Sequence, residues 1–350
     1  MATTHLTRTG LLRTVLLAAL VATPSGACAS IASGSATATA SAAVAQVPPV
    51  SAPPRQLDIV YRAHDGRARH ALVLLPRGYR AENASPLPLV ISPRGRGVDG
   101  ALIARLWGTL PTIGRFAVVN PDGEGRRLKL HSWGAPGQIR DLARMPAIVQ
   151  AALPWVQIDH SRVYAVGGSM GGQETLLLLA RYPRLLAGAV AVDPVADFAR
   201  QYRNFPLLAC NGRCRTLWGN FGLDMQKLAR REFGGTPSTA PLAYADRSPL
   251  TYAAAIADSC VPLQLWWTRV DQIVRQSDLQ SGAMFRALQK RNPQATVDAY
   301  IGSWIHTHAL SYRTRLPMML AGLGLMPETY IVAHRGLEHE RPSQVACTRG

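Results

Sequence analysis

The sequence predicts an α/β fold, a mostly parallel sheet of eight strands with helices on both faces. Three observations point to it. Short apolar runs alternate with longer helix-forming stretches, the order that builds strand–helix–strand units. The middle runs are apolar at every position, as strands covered on both faces must be. One of them, Val163 to Val166, leads directly into Gly167-Gly168-Ser169-Met170-Gly171, a G-x-S-x-G at a strand-to-helix junction.

The elements follow in order. Leu57 to Tyr61 and Ala71 to Leu75 are joined by a short Gly-containing link, which predicts an antiparallel start. Pro88 to Ser92 runs into the Gly-rich loop Pro93-Arg94-Gly95-Arg96-Gly97, then a helix over Ala101 to Trp107. Phe116 to Asn120 ends at the turn Asn120-Pro121-Asp122-Gly123. A helix over Gln138 to Leu153 precedes Val163 to Val166. The helix Met170 to Arg181 stops at Tyr182-Pro183, because proline restricts the residue before it. Ala187 to Val192 is the next strand. From about 196 to 252 the rhythm breaks into a stretch with Cys210, Cys214, Trp218, Phe221, Phe233 and several prolines. It is too long for a plain connection and reads as an inserted cap. Leu263 to Thr268, a helix over Gln276 to Arg291 with Met284 and Leu288 on one face, Thr296 to Ile301 and a helix over Ala309 to Ala321 complete a domain spanning 55–332. Residues 333–350 are read as a tail.

The start of the chain reads as a leader. Arg8 and Arg13 precede the apolar run Val15 to Ala22, and Ala27-Cys28-Ala29 is a small-x-small cleavage site. This predicts a secretory signal peptide over 1–29, its apolar part too short to span a membrane. A lipid anchor on Cys28 fits less well, because Ser25 stands where a lipobox has leucine. Residues 30–54 are Ala/Ser/Pro-rich, without aromatics or periodicity, and are read as a disordered spacer. The protein is thus expected to be secreted or held in the cell envelope. Cleavage after Ala29 leaves Cys210, Cys214, Cys260 and Cys347, an even set that favours disulfides in an exported chain. The expected pairs are Cys210–Cys214, close enough for a small loop, and Cys260–Cys347. Cys210 and Cys214 also have the form of half a zinc site, but no nearby ligand pair completes it.

The formal charge is +17, which invites a nucleic-acid reading. Lysine occurs only at Lys129, Lys227 and Lys290, so arginine carries nearly all the basic charge, as a GC-rich coding sequence gives without selection for binding. The basic residues are scattered without interleaved aromatics, so no nucleic-acid partner is expected. Electrostatic contact with an acidic envelope or polymer stays compatible with the charge.

The chemistry converges on Ser169. A serine on such an elbow is pushed out above the sheet and needs a base, and the base needs an orienting acid. In this strand order the acid and then the histidine follow the serine along the chain. Asp271 lies just past the strand Leu263 to Thr268; otherwise it would cap the next helix. His306 lies four residues past Gly302, nearest the end of the following strand, with His308 as the fallback. The two histidines are spaced i and i+2 and would not share a helix face, which argues against a metal pair. An oxyanion would be held by the backbone N–H of Met170 and by one from Gly95 or Arg96. No metal or organic cofactor is required.

The stretch Ile158-Asp159-His160-Ser161-Arg162-Val163-Tyr164 leading into the elbow, the Asn120 to Gly123 turn, Asp271 with Val274, and the Gly302 to His306 segment together resemble a known group. The chain resembles secreted α/β-hydrolase esterases of the polyhydroxybutyrate-depolymerase and feruloyl-esterase type. It is also similar to the catalytic domain of prolyl-oligopeptidase-like enzymes. The resemblance covers roughly 55–325. It implies a serine hydrolase acting on an ester-containing small molecule or polymer. A peptidase, an acyltransferase acting on an envelope sugar or lipid, and a binding protein without turnover are the alternatives. Such families usually carry His-Gly in the oxyanion loop, where this chain has Arg94-Gly95.

Overall fold

Among the described residues nine strands form one sheet: β1 (Arg55–Arg62), β2 (Ala68–Leu75), β3 (Leu87–Ile91), β4 (Ala117–Pro121), β5 (Ile158–Gly168), β6 (Gly188–Val192), β7 (Leu263–Thr268), β8 (Val297–Gly302) and β9 (Glu338–Glu340). The computed structural model describes residues 52–96, 98, 100–123, 132–208, 221–331, 336–341 and 347. The leader at 1–29, most of the spacer, Gly97 and the Cys210–Cys214 pair lie outside them.

The strands are ordered β1-β2-β4-β3-β5-β6-β7-β8-β9, with antiparallel pairs only at β1–β2, β2–β4 and β8–β9. This is the α/β-hydrolase fold. The central strands are continuously apolar in sequence, yet they sort their side chains with period two. Leu89, Ile91, Val163, Ala165, Ala189 and Ala191 enter the core on one face. Val90, Tyr164, Val166, Val190, Val192 and Trp266 enter the core on the other. Because β4, β3, β5, β6, β7 and β8 all run parallel, their C-terminal ends meet along one rim. The loops leaving β3, β5, β6, β7 and β8 carry Gly95, Ser169, Asp193, Asp271 and His306 respectively.

Three expectations need correction. The sheet has nine strands, not eight, because the tail returns as β9 along β8. Its sequence, Glu-His-Glu, is wholly exposed and has no apolar alternation to announce a strand. The helix expected over Gln138 to Leu153 is two helices, Pro136–Ala143 and Met145–Ala152. Pro146 cannot donate an N–H and crowds the carbonyl four residues back, so the chain breaks at Arg144. The helix expected from Ala309 forms only over Leu316–Gly322. Upstream the chain turns, Thr314 donating its hydroxyl to the His308 and Ala309 carbonyls.

Between β6 and β7 stand the helices Phe198–Asn204, Phe221–Phe233 and Pro241–Asp246. Their aromatic faces form a third apolar cluster with Trp133, Met170 and Val274. Met170 follows Ser169 and Val274 belongs to the Asp271 loop, so this layer packs on the strand ends.

The described residues of the tail are held at two places. Tyr300 stacks on His339 at 4.3 Å between ring centroids, Arg341 pairs with Asp298 at 2.6 Å, and Arg269 pairs with Glu338. Cys260 and Cys347 are bonded, with Cα atoms 5.5 Å apart across 87 residues of chain. A crosslink over so long a loop restricts the unfolded chain strongly. Cys347→Ser is expected to cost about 2–5 kcal/mol in denaturant unfolding and to leave the site chemistry unchanged. An unfolding midpoint that does not move on this substitution would remove the bridge from the account.

Candidate active site

Ser169 sits at φ 56°, ψ −121°, a backbone region that a side-chain-bearing residue rarely adopts. The surrounding structure holds it there. Its N–H donates to the Val192 carbonyl at 2.9 Å, and its carbonyl accepts from Gln173 N–H at 3.0 Å. Two glycines make the turn sterically available. A Cβ on Gly167 would lie 2.3 Å from the Gly171 carbonyl oxygen, and one on Gly171 would lie 2.3 Å from that of Pro93. A serine before a helix normally caps it through Oγ; here Ser169 makes no such side-chain bond to the helix Met170–Arg181. Its hydroxyl is thereby left for other chemistry, above a helix N-terminus whose first N–H groups have no intrahelical partner.

Asp271 is fixed by its own loop. Its Oδ1 accepts from the N–H groups of Ile273 at 2.7 Å and Val274 at 2.8 Å. Its Oδ2 lies 2.7 Å from Nδ1 of His306. Nδ1 must be the donor to a carboxylate, so the neutral ring presents a bare Nε2. That Nε2 is buried and has no partner, and His306 lines one cavity together with Ser169. Ser169 Oγ and His306 Nε2 are not hydrogen-bonded in this state, as is common before substrate closes such a site. His308 lies on the same cavity but is solvent-exposed.

A further carboxylate stands behind the imidazole. Asp193, at the end of β6, is 1% exposed. Its Oδ1 accepts from Thr268 N–H at 2.8 Å, and its Oδ2 accepts from the Trp304 indole at 2.9 Å and from Thr307 N–H at 2.8 Å. Burial pushes its carboxyl up to about 6; the His306 ring opposes that rise and the Asp271 carboxylate adds to it. Sequence reasoning missed this residue. Its only signal is an aspartate directly after an apolar strand, which turns also provide. Ligand atoms of Asp193, Asp271 and His306 lie within 4.8 Å of one another. The carboxylate oxygens are already engaged by N–H donors, the pattern of an orienting network.

The loop after β3 packs on the start of the serine helix. Arg94 turns inward and is buried; its Nε donates to the Pro121 carbonyl at 3.0 Å and its NH2 pairs with Asp122 at 3.0 Å. Arginine therefore anchors this loop to the β4 turn. Gly95 and Arg96 line the serine cavity, of about 300 Å³, with Leu102, Trp107 and Leu310. A narrower aromatic cleft of about 40 Å³ opens from Ser169 on the other side, between Trp133, Phe198, Phe205 and Phe221. Arg96 lines both, its guanidinium 4.7 Å from the Phe221 ring centroid. Burial lowers the Arg96 pKa. A larger open depression of about 700 Å³, between Arg55, Arg77, Arg80 and Trp155, shares no residue with the serine cavity and holds no serine or histidine.

A profile of the prolyl oligopeptidase family (Peptidase S9) matches residues 119–211, the segment from β4 through the elbow and β6. Solved structures with the same fold include a puromycin-hydrolyzing peptidase of Mycobacterium tuberculosis. It is 20% identical, with a TM-score of 0.56, over 83% of this chain and 42% of that one. Pyrococcus horikoshii acylaminoacyl peptidase aligns at 17% identity and a TM-score of 0.53, over 81% of this chain and 43% of the peptidase. A mutant of the esterase rPPE aligns at 16% identity and a TM-score of 0.55, over 80% of this chain and 83% of the esterase. The chain thus spans less than half the length of the peptidases it resembles. No curated protein matches it in sequence.

Proposed function

We propose that this chain is a serine hydrolase that cleaves carboxylic esters through an acyl-enzyme on Ser169. One observation carries the reading: His306 is tied to Asp271 through Nδ1 at 2.7 Å, and its bare Nε2 belongs to the cavity that Ser169 lines. Substrate entering that cavity draws Oγ and Nε2 together. Nε2 takes the hydroxyl proton as Oγ attacks the acyl carbon, and Asp271 stabilises the imidazolium that forms. The oxyanion lies at the helix N-terminus, against Met170 N–H and an N–H of Gly95 or Arg96, each donor worth about 3 kcal/mol in the transition state. Nε2 then protonates the departing alcohol, and water repeats the sequence to release the acid. The apolar cavity and the aromatic cleft flank Ser169, so the acyl and alcohol portions of a compact apolar ester each have a side to occupy.

The peptidase reading has its own support in the prolyl oligopeptidase profile across the elbow. An esterase and peptidases alike share this fold, and the compact apolar cavity beside Ser169 is what favours esters here. The leader-like residues 1–29 and the Cys260–Cys347 bond support work outside the cytoplasm. Matched p-nitrophenyl esters and p-nitroanilides of the same acyl groups separate the two chemistries. The ester reading expects kcat/KM for the ester to exceed that for the anilide by more than an uncatalysed ester-to-amide ratio explains. Anilide cleavage as fast as ester cleavage would instead make the protein a peptidase.

A further inference from the structure

The ends of β6, β7 and β8 meet around the histidine, and Asp193 joins them. Thr268, the last residue of β7, opens the segment that leads to Asp271. Trp304 and Thr307 bracket His306 in the loop after β8. Asp193 accepts one N–H from each of these three residues, and its own N–H donates to the Trp266 carbonyl at 2.7 Å. A second link runs between the same segments: Thr268 Oγ1 accepts from Trp304 N–H at 2.9 Å. Asp193 itself adopts φ 45°, held outside the usual backbone regions so that its side chain can reach all three donors.

We propose that Asp193 is a positioning residue for the hydrolytic reaction, a buried carboxylate that clamps the acid loop to the histidine loop and supplies a second negative charge behind the imidazole. The inference rests on the serine-hydrolase reading. Three donors converge on two oxygens, and only an ionised carboxylate accepts all of them without offering a hydrogen in return. An amide at this position would turn N–H against N–H and leave a buried donor unpaired. The site also matters electrostatically, because atoms of Asp193 and His306 lie within 4.8 Å and Asp193 is buried. An anion at that distance favours the imidazolium formed when Ser169 gives up its proton.

The titratable groups facing Asp193 are His306 and Asp271. With the carboxyl pushed up to about 6 by burial, acidification protonates it at a pH where ordinary aspartates stay ionised. The protonated form becomes a donor where it must accept, and the histidine loop loses one anchor. The stability sign runs the other way. The folded value lies above the ordinary 3.8, so this group favours folding most below that pH, and the contribution is lost as pH rises through about 6. The active, ionised clamp is therefore the less stable form of this one group.

The test is the pH profile of kcat/KM for a p-nitrophenyl ester, using the full-length chain and two variants. Asp193→Asn is expected to lower kcat by about 10²-fold with little change in KM, as misplaced catalytic groups do. Its acid limb moves to lower pH, since the carboxyl that takes up a proton near 6 is gone. Trp304→Phe keeps the charge but removes one donor, so the carboxyl protonates more readily and the acid limb moves to higher pH. Opposite displacements are the signature of the clamp; a merely structural residue would lower activity or melting temperature without moving the limb. Acid limbs that coincide in all three proteins overturn the proposal. If Asp193→Asn does not fold, Trp304→Phe decides alone, an upward shift supporting the clamp and an unmoved limb overturning it. Fluorophosphonate labelling of the wild type separates the two claims. No labelling defeats the serine-hydrolase reading, whereas labelling with unmoved limbs defeats only the role of Asp193.

Discussion

Ser169→Ala is expected to reduce kcat by on the order of 10⁴-fold or more and to abolish fluorophosphonate labelling, while the melting temperature stays where it is. The chemical half follows from what else lines the cavity beside Nε2: its other hydroxyls among the described residues, on Ser92 and Thr307, are not on the elbow. The structural half follows from the elbow's construction. Ser169 caps no helix N–H through its side chain, so removing Oγ leaves no buried partner unpaired. Alanine inherits the same strained backbone, held by the same Val192 and Gln173 hydrogen bonds. Retained labelling in the Ala variant would move the nucleophile elsewhere and take the proposed reaction with it.

His306→Ala is expected to leave the protein nearly inert, with a loss on the order of 10⁴ to 10⁶ in kcat, because acyl transfer then has no base at neutral pH. Asp271→Asn belongs to the same unit and should lose about 10⁴-fold, the amide favouring the wrong imidazole tautomer. His308→Ala should keep most of its activity. His308 is exposed on the rim of the cavity, whereas His306 has Nδ1 committed to a buried carboxylate. Burst-phase and steady-state kinetics on the three variants decide the matter. An active His306→Ala beside an inert His308→Ala would transfer the base to His308.

Much of the frame is legible in the sequence. Continuous apolar runs such as Ala187 to Val192 announce strands covered on both faces, and the observed β6 covers Gly188–Val192. The helix Met170–Arg181 is bounded by the elbow and by Tyr182-Pro183, both local signals. The misses are of another kind. Pro146 was a readable break in an otherwise helical stretch. β9 was unreadable, because three exposed residues gain their strand geometry by pairing with Tyr300 and its neighbours. The aromatic cleft beside Ser169 draws on Trp133 and on residues after β6, which no pattern in either segment connects.

What the sequence by itself determined, then, is what neighbours along the chain can decide: the period of burial, the glycines that allow the elbow, and an aspartate and a histidine just beyond two apolar strands. What only the tertiary structure decided is which of those groups meet. Arg94 looks out of place in a Gly-rich loop until it is seen holding the Pro121 carbonyl and Asp122. Asp193 looks like a turn residue until parallel β6, β7 and β8 bring it to Trp304 across 111 positions of sequence. The reason is physical. Hydrogen bonds and burial act through space over a few ångströms, and strand register, summed across the whole sheet, sets those distances.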